Sequence, residues 1–232
     1  MLVEALLIIV SILLAFGIDA WWEERRERIE EHEILLGLKQ EFEQNQHAIE
    51  SQVALHEDTL GSLETLLRAI HLGHWESGEI TIDKAIQHLN SPPTTDLGSG
   101  VLSALLSAGR LSVISNKQLR LRLAAWESVF SEALDDEIMA RGYIFSDVIP
   151  YLIEHGVPLS GTFEDSDRWP VPHTSVADDP AQLNRLLTDP SFKTLIEARY
   201  GFKSHATEEY ESVLVAIDEI LGEIGKSLDS VE

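Results

Sequence analysis

The chain has 232 residues, no cysteine and a formal net charge of −23. The missing cysteines exclude disulfides, thiol nucleophiles and thiolate metal sites. The acidic balance repels nucleic acid and anionic lipid surfaces from the body of the protein, and the length beyond an N-terminal apolar stretch suffices for one domain with a proper core.

Residues 1–22 read as a membrane anchor. Ala5 to Ile18 carries no charge, and the stretch closes on the pair Trp21 and Trp22. As a helix it would extend roughly 33 Å at about 1.5 Å per residue, against a hydrocarbon core of about 30 Å, which sets the Trp pair at headgroup level. No basic region precedes it and Ile18-Asp19-Ala20 is a poor cleavage pattern, so the segment is expected to be retained. Glu4 and Asp19 bracket the span at shallow depth. Snorkelling to water accounts for them, and pairing of Glu4 with a basic residue of a neighbouring membrane subunit is the functional alternative. Arg25, Arg26 and Arg28 follow the span, so the positive-inside rule favours a cytoplasmic body. These arginines also alternate with Glu23, Glu24 and Glu27 and suit i,i+4 pairing.

Beyond the anchor, Leu35, Leu38, Phe42, Asn45, Ile49, Gln52, His56, Leu60, Leu63, Leu67 and Ile70 recur at spacings of three and four. The pattern predicts a stalk helix over 23–72, continuous with the anchor and ending before Gly73. Its seam is suited to partner helices, with Leu38, Phe42, Asn45, Ile49 and His56 as the assembly residues. Polar Asn45 and His56 at seam positions are the kind that fix register or oligomeric state, and an ordinary bundle core with wet gaps is the plainer reading. A short helix over Ile82–Leu89 stops at the Ser91-Pro92-Pro93-Thr94-Thr95 break. Val101–Ala108 forms another, closed by Gly109. Ser115 or Asn116 then caps a long helix toward His155, with Leu119, Leu123, Trp126, Phe130, Leu134, Ile138 and Met139 as its buried stripe and a kink or restart at Pro150. Val157–Asp179 is a long loop. Asp179-Pro180 and Asp189-Pro190 each start a helix, the second running to about Leu228 with Phe192, Leu195, Arg199, Phe202, Ala206, Tyr210, Val213, Ile217, Ile220 and Ile224 on its inner face.

The expected architecture is all-α: an N-terminal transmembrane helix continuing into an antiparallel helical bundle, divided into the 1–22 anchor and an acidic 23–232 body. Enzyme motifs are missing. None of the nine histidines follows a Glu by three residues, so the four-helix di-iron pattern fails. His32-Glu33 and His56-Glu57 lack the second His of the zinc-protease motif. Gly225-Lys226-Ser227 imitates a phosphate-loop ending, yet Ile220 stands where its first Gly belongs, and Gly98-Ser99-Gly100 is no nucleophile elbow. His71 and His74 are the best metal pair, beside Glu76, but surface histidines are much the plainer reading of that spacing, so no metal site is expected. No cofactor is expected.

Two stretches carry a family resemblance. Glu4–Ala15 with Asp19-Ala20-Trp21-Trp22-Glu23-Glu24-Arg25 resembles the opening of a widespread bacterial family of uncharacterised single-span membrane proteins. Leu105–Arg120, with its Gly109-Arg110-Leu111-Ser112 turn and Asn116-Lys117-Gln118-Leu119-Arg120 helix start, is similar to that family's central motif. Together they cover under a fifth of the chain. The resemblance implies a bacterial inner-membrane protein with a helical body and no established activity. Some relatives hold the body in the periplasm through a basic N-terminal extension, which this chain lacks. The expected function is a noncatalytic membrane-anchored subunit that associates with lipid, with its own copies or with other membrane subunits. The alternative is a membrane-tethered bundle that senses a ligand or metal under the Val157–Asp179 loop, and a hydrolase ranks last.

Overall fold

A computed structural model describes residues 2–76, 78–92, 95, 97–159 and 175–231, with side chains from residue 12 to residue 230. Every regular element among the described residues is helical. Helix α1 spans Leu2–Leu72 without interruption, as expected of a segment that contains no proline. It stops at Gly73, whose φ of +74° suits a residue lacking Cβ, and the Gly73 amide donates to the Ala69 carbonyl at 2.9 Å.

Helix α2 spans Ile82–Asn90, and the Thr81 hydroxyl caps it by accepting from the Lys84 amide. Thr81–Ile86 is thus a cap and a first helical turn. Helix α3 covers Gly100–Ser107 and closes at Gly109, φ +64°. Helix α4 runs from Lys117 to Tyr143, capped by Asn116, whose side-chain oxygen accepts from the amides of Gln118 and Leu119 at 2.9 and 3.2 Å. A π-helical turn over Ile144–Val148 leads into α5, Ile149–Glu154. Pro150 has no N–H to return to the preceding turn, and the widened turn absorbs that break. Asp179 caps α6, Pro180–Thr188, and Asp189 starts α7, Pro190–Val231. Residues 160–174 of the expected loop lie outside the described residues.

The chain groups into two compact units. Unit 1 comprises 1–46, 97–127 and 216–232; unit 2 comprises 47–96 and 128–215. The three long helices pass from one to the other with no proline, glycine cluster or change of composition at the crossings, so this division leaves no linker signature in the sequence. It differs from the anchor-and-body cut at residue 22.

Within unit 1, α1 begins to pack at Glu31, and Leu35, Leu38, Phe42, Leu119, Leu123, Ile217, Ile220 and Ile224 are buried. Phe42 meets Trp126 edge-on at 5.0 Å. Within unit 2 the core gathers Leu63, Leu66, Ile86, Leu89, Ile144, Val148, Phe192 and Ile196.

Contacts inside the units fix the helix directions and correct the all-antiparallel expectation. In unit 1, Glu31 meets Ser115 and Phe42 meets Trp126, so α1 and α4 run in the same direction. Helix α7 opposes α4, since Asn116 reaches Glu223 and Arg122 reaches Glu219. In unit 2, His56 meets Thr207 and Glu64 meets Tyr200, which sets α7 against α1. A simple up-and-down bundle has no such parallel pair of consecutive long helices.

The seam is likewise corrected. Leu38, Phe42, Asn45, Ile49 and His56 are at most 2% exposed in a single chain. They face the chain's own helices and leave no side-chain surface for a second copy.

Candidate functional site

The N-terminal flank is built differently from the rest of α1. Every side chain from Ile12 to Ile29 is exposed, including Leu13, Phe16, Trp21 and Trp22 at 52–68%. Trp21 and Trp22 contact each other edge-on at 5.5 Å, and the Arg25 guanidinium lies 5.9 Å from the Trp21 ring centre. Arg28 pairs with Glu24 at i,i+4, 3.5 Å. Asp19 and Arg26 are exposed. Among the described residues, no helix is long and apolar enough to cross a membrane. The side chains of residues 1–11, Glu4 included, lie outside them.

Unit 1 turns acidic side chains of α1 inward as acceptors. Glu31 accepts from the Ser115 amide and hydroxyl at 2.5 and 2.7 Å. Glu41 accepts from the amides of Val101 and Leu102 at 2.6 and 3.3 Å, supplying the cap for α3 that Ser99 does not give. Asn45 bridges Gly98 in both directions, donating to its carbonyl at 2.8 Å and accepting from its amide at 2.9 Å. Glu31 therefore ties the turn before α4 to α1, and Glu41 and Asn45 tie the start of α3 and the residues before it.

Unit 2 holds a buried polar cluster. Arg199 is fully buried and Lys203, one turn on, is 3% exposed. The Arg199 guanidinium reaches the carbonyls of Leu89 and Ser91 only at 3.4 Å, and its second terminal nitrogen has no partner. Neither cation has a carboxylate within 4 Å among the described residues. Burial lowers the Arg199 pKa to about 10, so it stays charged at neutral pH. Burial, with Arg199 beside it, brings Lys203 down to about 7, against the raising influence of Glu137. Burial and these two cations lower His56 to about 3, which makes it neutral. The Thr207 hydroxyl donates to the Lys203 carbonyl, so its oxygen accepts from His56 Nδ1 at 3.3 Å and the imidazole Nε2 is left as a buried acceptor without a partner.

Glu137, 1% exposed, anchors the other side of the cluster. It accepts from the Thr95 amide at 3.2 Å, the Thr95 hydroxyl at 2.8 Å and the Tyr210 hydroxyl. Burial and the Glu137 hydrogen bond push the Tyr210 pKa up. The position corrects the expected stripe of α4. Ile138 and Met139 are 47% and 53% exposed, and the inner face continues instead through Ala133, Glu137 and Ala140. The three-four spacing from Trp126 passes through a carboxylate that hydropathy discards. Similarly on α7, Phe202 is exposed and Lys203 is inside.

At the edge of unit 2, Asp136 on α4 and His205 and Glu209 on α7 bring three ligand atoms within 4.8 Å of one another. Among the described residues this is the one such group. The expected pair His71 and His74 sits exposed at the end of α1 and gains no third ligand there; His74 Nδ1 instead lies 3.2 Å from the Leu72 carbonyl. Sequence reasoning that looked for His and Glu three apart missed the four-residue interval His205-x-x-x-Glu209, and no local pattern marks Asp136.

No family model, curated protein or solved structure matches the chain.

Proposed function

We propose that the chain is a noncatalytic helical subunit tethered to the bacterial inner membrane by residues 1–22, its body associating with its own copies or with other membrane subunits. The supporting observation is the flank from Ile12 to Trp22, whose large apolar side chains are exposed. Apolar surface of this extent is stable against lipid or another protein and unstable against water. Acidic surface argues against nucleic acid as a partner. Since the α1 seam is consumed internally, association through the body uses outward apolar side chains such as Ile138, Met139 and Phe145, all about half exposed.

Alkaline carbonate extraction of native membranes tests the tether: the full chain stays in the pellet and a chain lacking residues 1–22 does not. Release of the full chain would overturn the reading. Because there is no native cysteine, exposed Gln40→Cys gives a single label site. In spheroplasts, a membrane-impermeant maleimide fails to label it if the body is cytoplasmic, as the arginines after the span favour, and labels it if the body is periplasmic.

A second reading, a ligand-responsive bundle, is favoured by the uncompensated Arg199 and Lys203 in unit 2. Small oxyanions that raise the unfolding temperature of the full chain, and not of Arg199→Met, would support it. Equal shifts in both, or none, would remove it.

A further inference from the structure

We propose that Asp136, His205 and Glu209 form a binding site for a divalent transition-metal ion of the zinc or manganese class. His205 and Glu209 are four residues apart on α7, so one helical face presents both. Asp136 faces them from antiparallel α4, with a carboxylate oxygen 3.4 Å from His205 Nε2. Two ligands bound to one tetrahedral ion at 2.0–2.1 Å stand about 3.4 Å apart, so the imidazole and carboxylate already have the spacing of such a pair.

The plainer alternative is a surface ion pair that binds nothing, and the setting argues against it. The residue after Asp136 is Glu137 and the residue after Glu209 is Tyr210, and these two are hydrogen-bonded to each other in the interior. The bond pins α4 to α7 at the level of the triad, so the backbone of both carboxylate ligands is fixed before any ion arrives. Asp136 is 16% exposed and His205 59%, which gives a site walled on one side and open to solvent on the other, with coordination positions left for water. Two carboxylates neutralise a dication. One imidazole and only two carboxylates suit borderline first-row ions, whereas calcium takes six to eight oxygens and magnesium prefers oxygen ligands and its own water. A bound ion would cross-link α4 and α7 within unit 2 and stabilise it by mass action.

The test uses the full chain in mild detergent after removal of metal by chelator, titrated calorimetrically with Zn²⁺ alone and with Mn²⁺ alone, with Mg²⁺ and Ca²⁺ as comparisons. One equivalent binds saturably, raises the unfolding temperature, and is preferred over Mg²⁺ and Ca²⁺. His205→Gln and Glu209→Gln each weaken binding by roughly a hundredfold, and the double variant His71→Gln/His74→Gln leaves it unchanged. Two substitutions are specified so that misfolding of one, read by circular dichroism, leaves the other decisive. Co²⁺ in place of Zn²⁺ gives visible absorption bands that disappear in both triad variants. Binding of the same strength in well-folded triad variants, or no saturable binding to the parent chain, overturns the proposal.

Discussion

Tyr210 donates its hydroxyl to the buried carboxylate of Glu137, tying α7 to α4 in the interior of unit 2. The same carboxylate also receives the Thr95 amide and hydroxyl, so one side chain organises two helices and the segment after α2. Buried acceptors of this kind are stabilising only while their donors are present, because the desolvated carboxylate has no water to fall back on.

Removing one donor should therefore be costly. Tyr210→Phe keeps the ring, its edge-on packing on His56 at 5.3 Å and the shape of the core, and deletes only the hydroxyl. The expected loss is about 2 kcal/mol, in the range for hydrogen bonds to charged groups. Combining it with Glu137→Gln should cost less than the two single losses added, since the second substitution removes the charge that strengthens the same bond. Denaturant unfolding of the four proteins reads the coupling, and strict additivity would detach Tyr210 from Glu137.

His56 gives the protein an acid-sensitive interior. Its pKa is about 3 in the folded chain against 6.5 when unfolded. Below pH 6.5 the unfolded chain takes up a proton that the folded chain refuses, so stability falls as pH falls from about 6.5 toward 3. At pH 5 the loss is about 2 kcal/mol. His56→Leu has no such proton to bind. The difference in unfolding free energy between parent and variant should thus shrink by that amount between pH 7.5 and pH 5, and a constant difference would show that His56 is not held neutral.

Much of this architecture is visible in the residues. Gly73 and Gly109 mark helix ends by backbone geometry alone, Asp179-Pro180 and Asp189-Pro190 mark starts, and Asn116 marks another by its side-chain acceptor. The inner face of α7 could be followed through Arg199 because its neighbours on that face are apolar. Glu137 and Lys203 broke the same rule in a less readable way, each lying next to an apolar residue, Ile138 or Phe202, that hydropathy preferred for the inside. Burial of a charge depends on partners distant in sequence, Thr95 and Tyr210 for Glu137, and a linear pattern does not contain them. For the same reason the triad was invisible: its first ligand is 69 residues from its second in chain order, and only the antiparallel pairing of α4 and α7 unites them.

The α1 seam tests whether polar seam residues specify assembly or internal fit. Asn45 holds Gly98 by two hydrogen bonds, and Glu41 caps α3. Asn45→Leu should leave the assembly size in detergent unchanged and destabilise unit 1 by about 1–3 kcal/mol, the penalty for orphaning buried backbone groups. Hydrogen exchange should show faster exchange at Gly98. Glu41→Gln should weaken the cap and accelerate Val101 and Leu102 instead. A change in oligomeric size for Asn45→Leu with normal Gly98 protection would restore the intermolecular seam.

Lys203 is the most expensive side chain in unit 2. Its ammonium is almost wholly buried one turn from Arg199, without a carboxylate inside 4 Å among the described residues, and Glu137, whose charge favours it, is already engaged by Thr95 and Tyr210. Coulombic compensation is therefore small against desolvation. Methionine has nearly the same length and fills the same volume with no charge to solvate. Lys203→Met should stabilise the folded chain by about 1–4 kcal/mol at neutral pH, read as a higher denaturant midpoint with an unchanged slope. It should also ease the suppression of His56, since Lys203 is the larger of the two charges that lower that imidazole. The acid loss attributed to His56 is then nearly unchanged at pH 5 and becomes smaller only as pH approaches the folded pKa of about 3. Destabilisation by the substitution would mean that the ammonium is held by an acceptor, and would make Lys203 a structural ion rather than an unpaid cost of the fold.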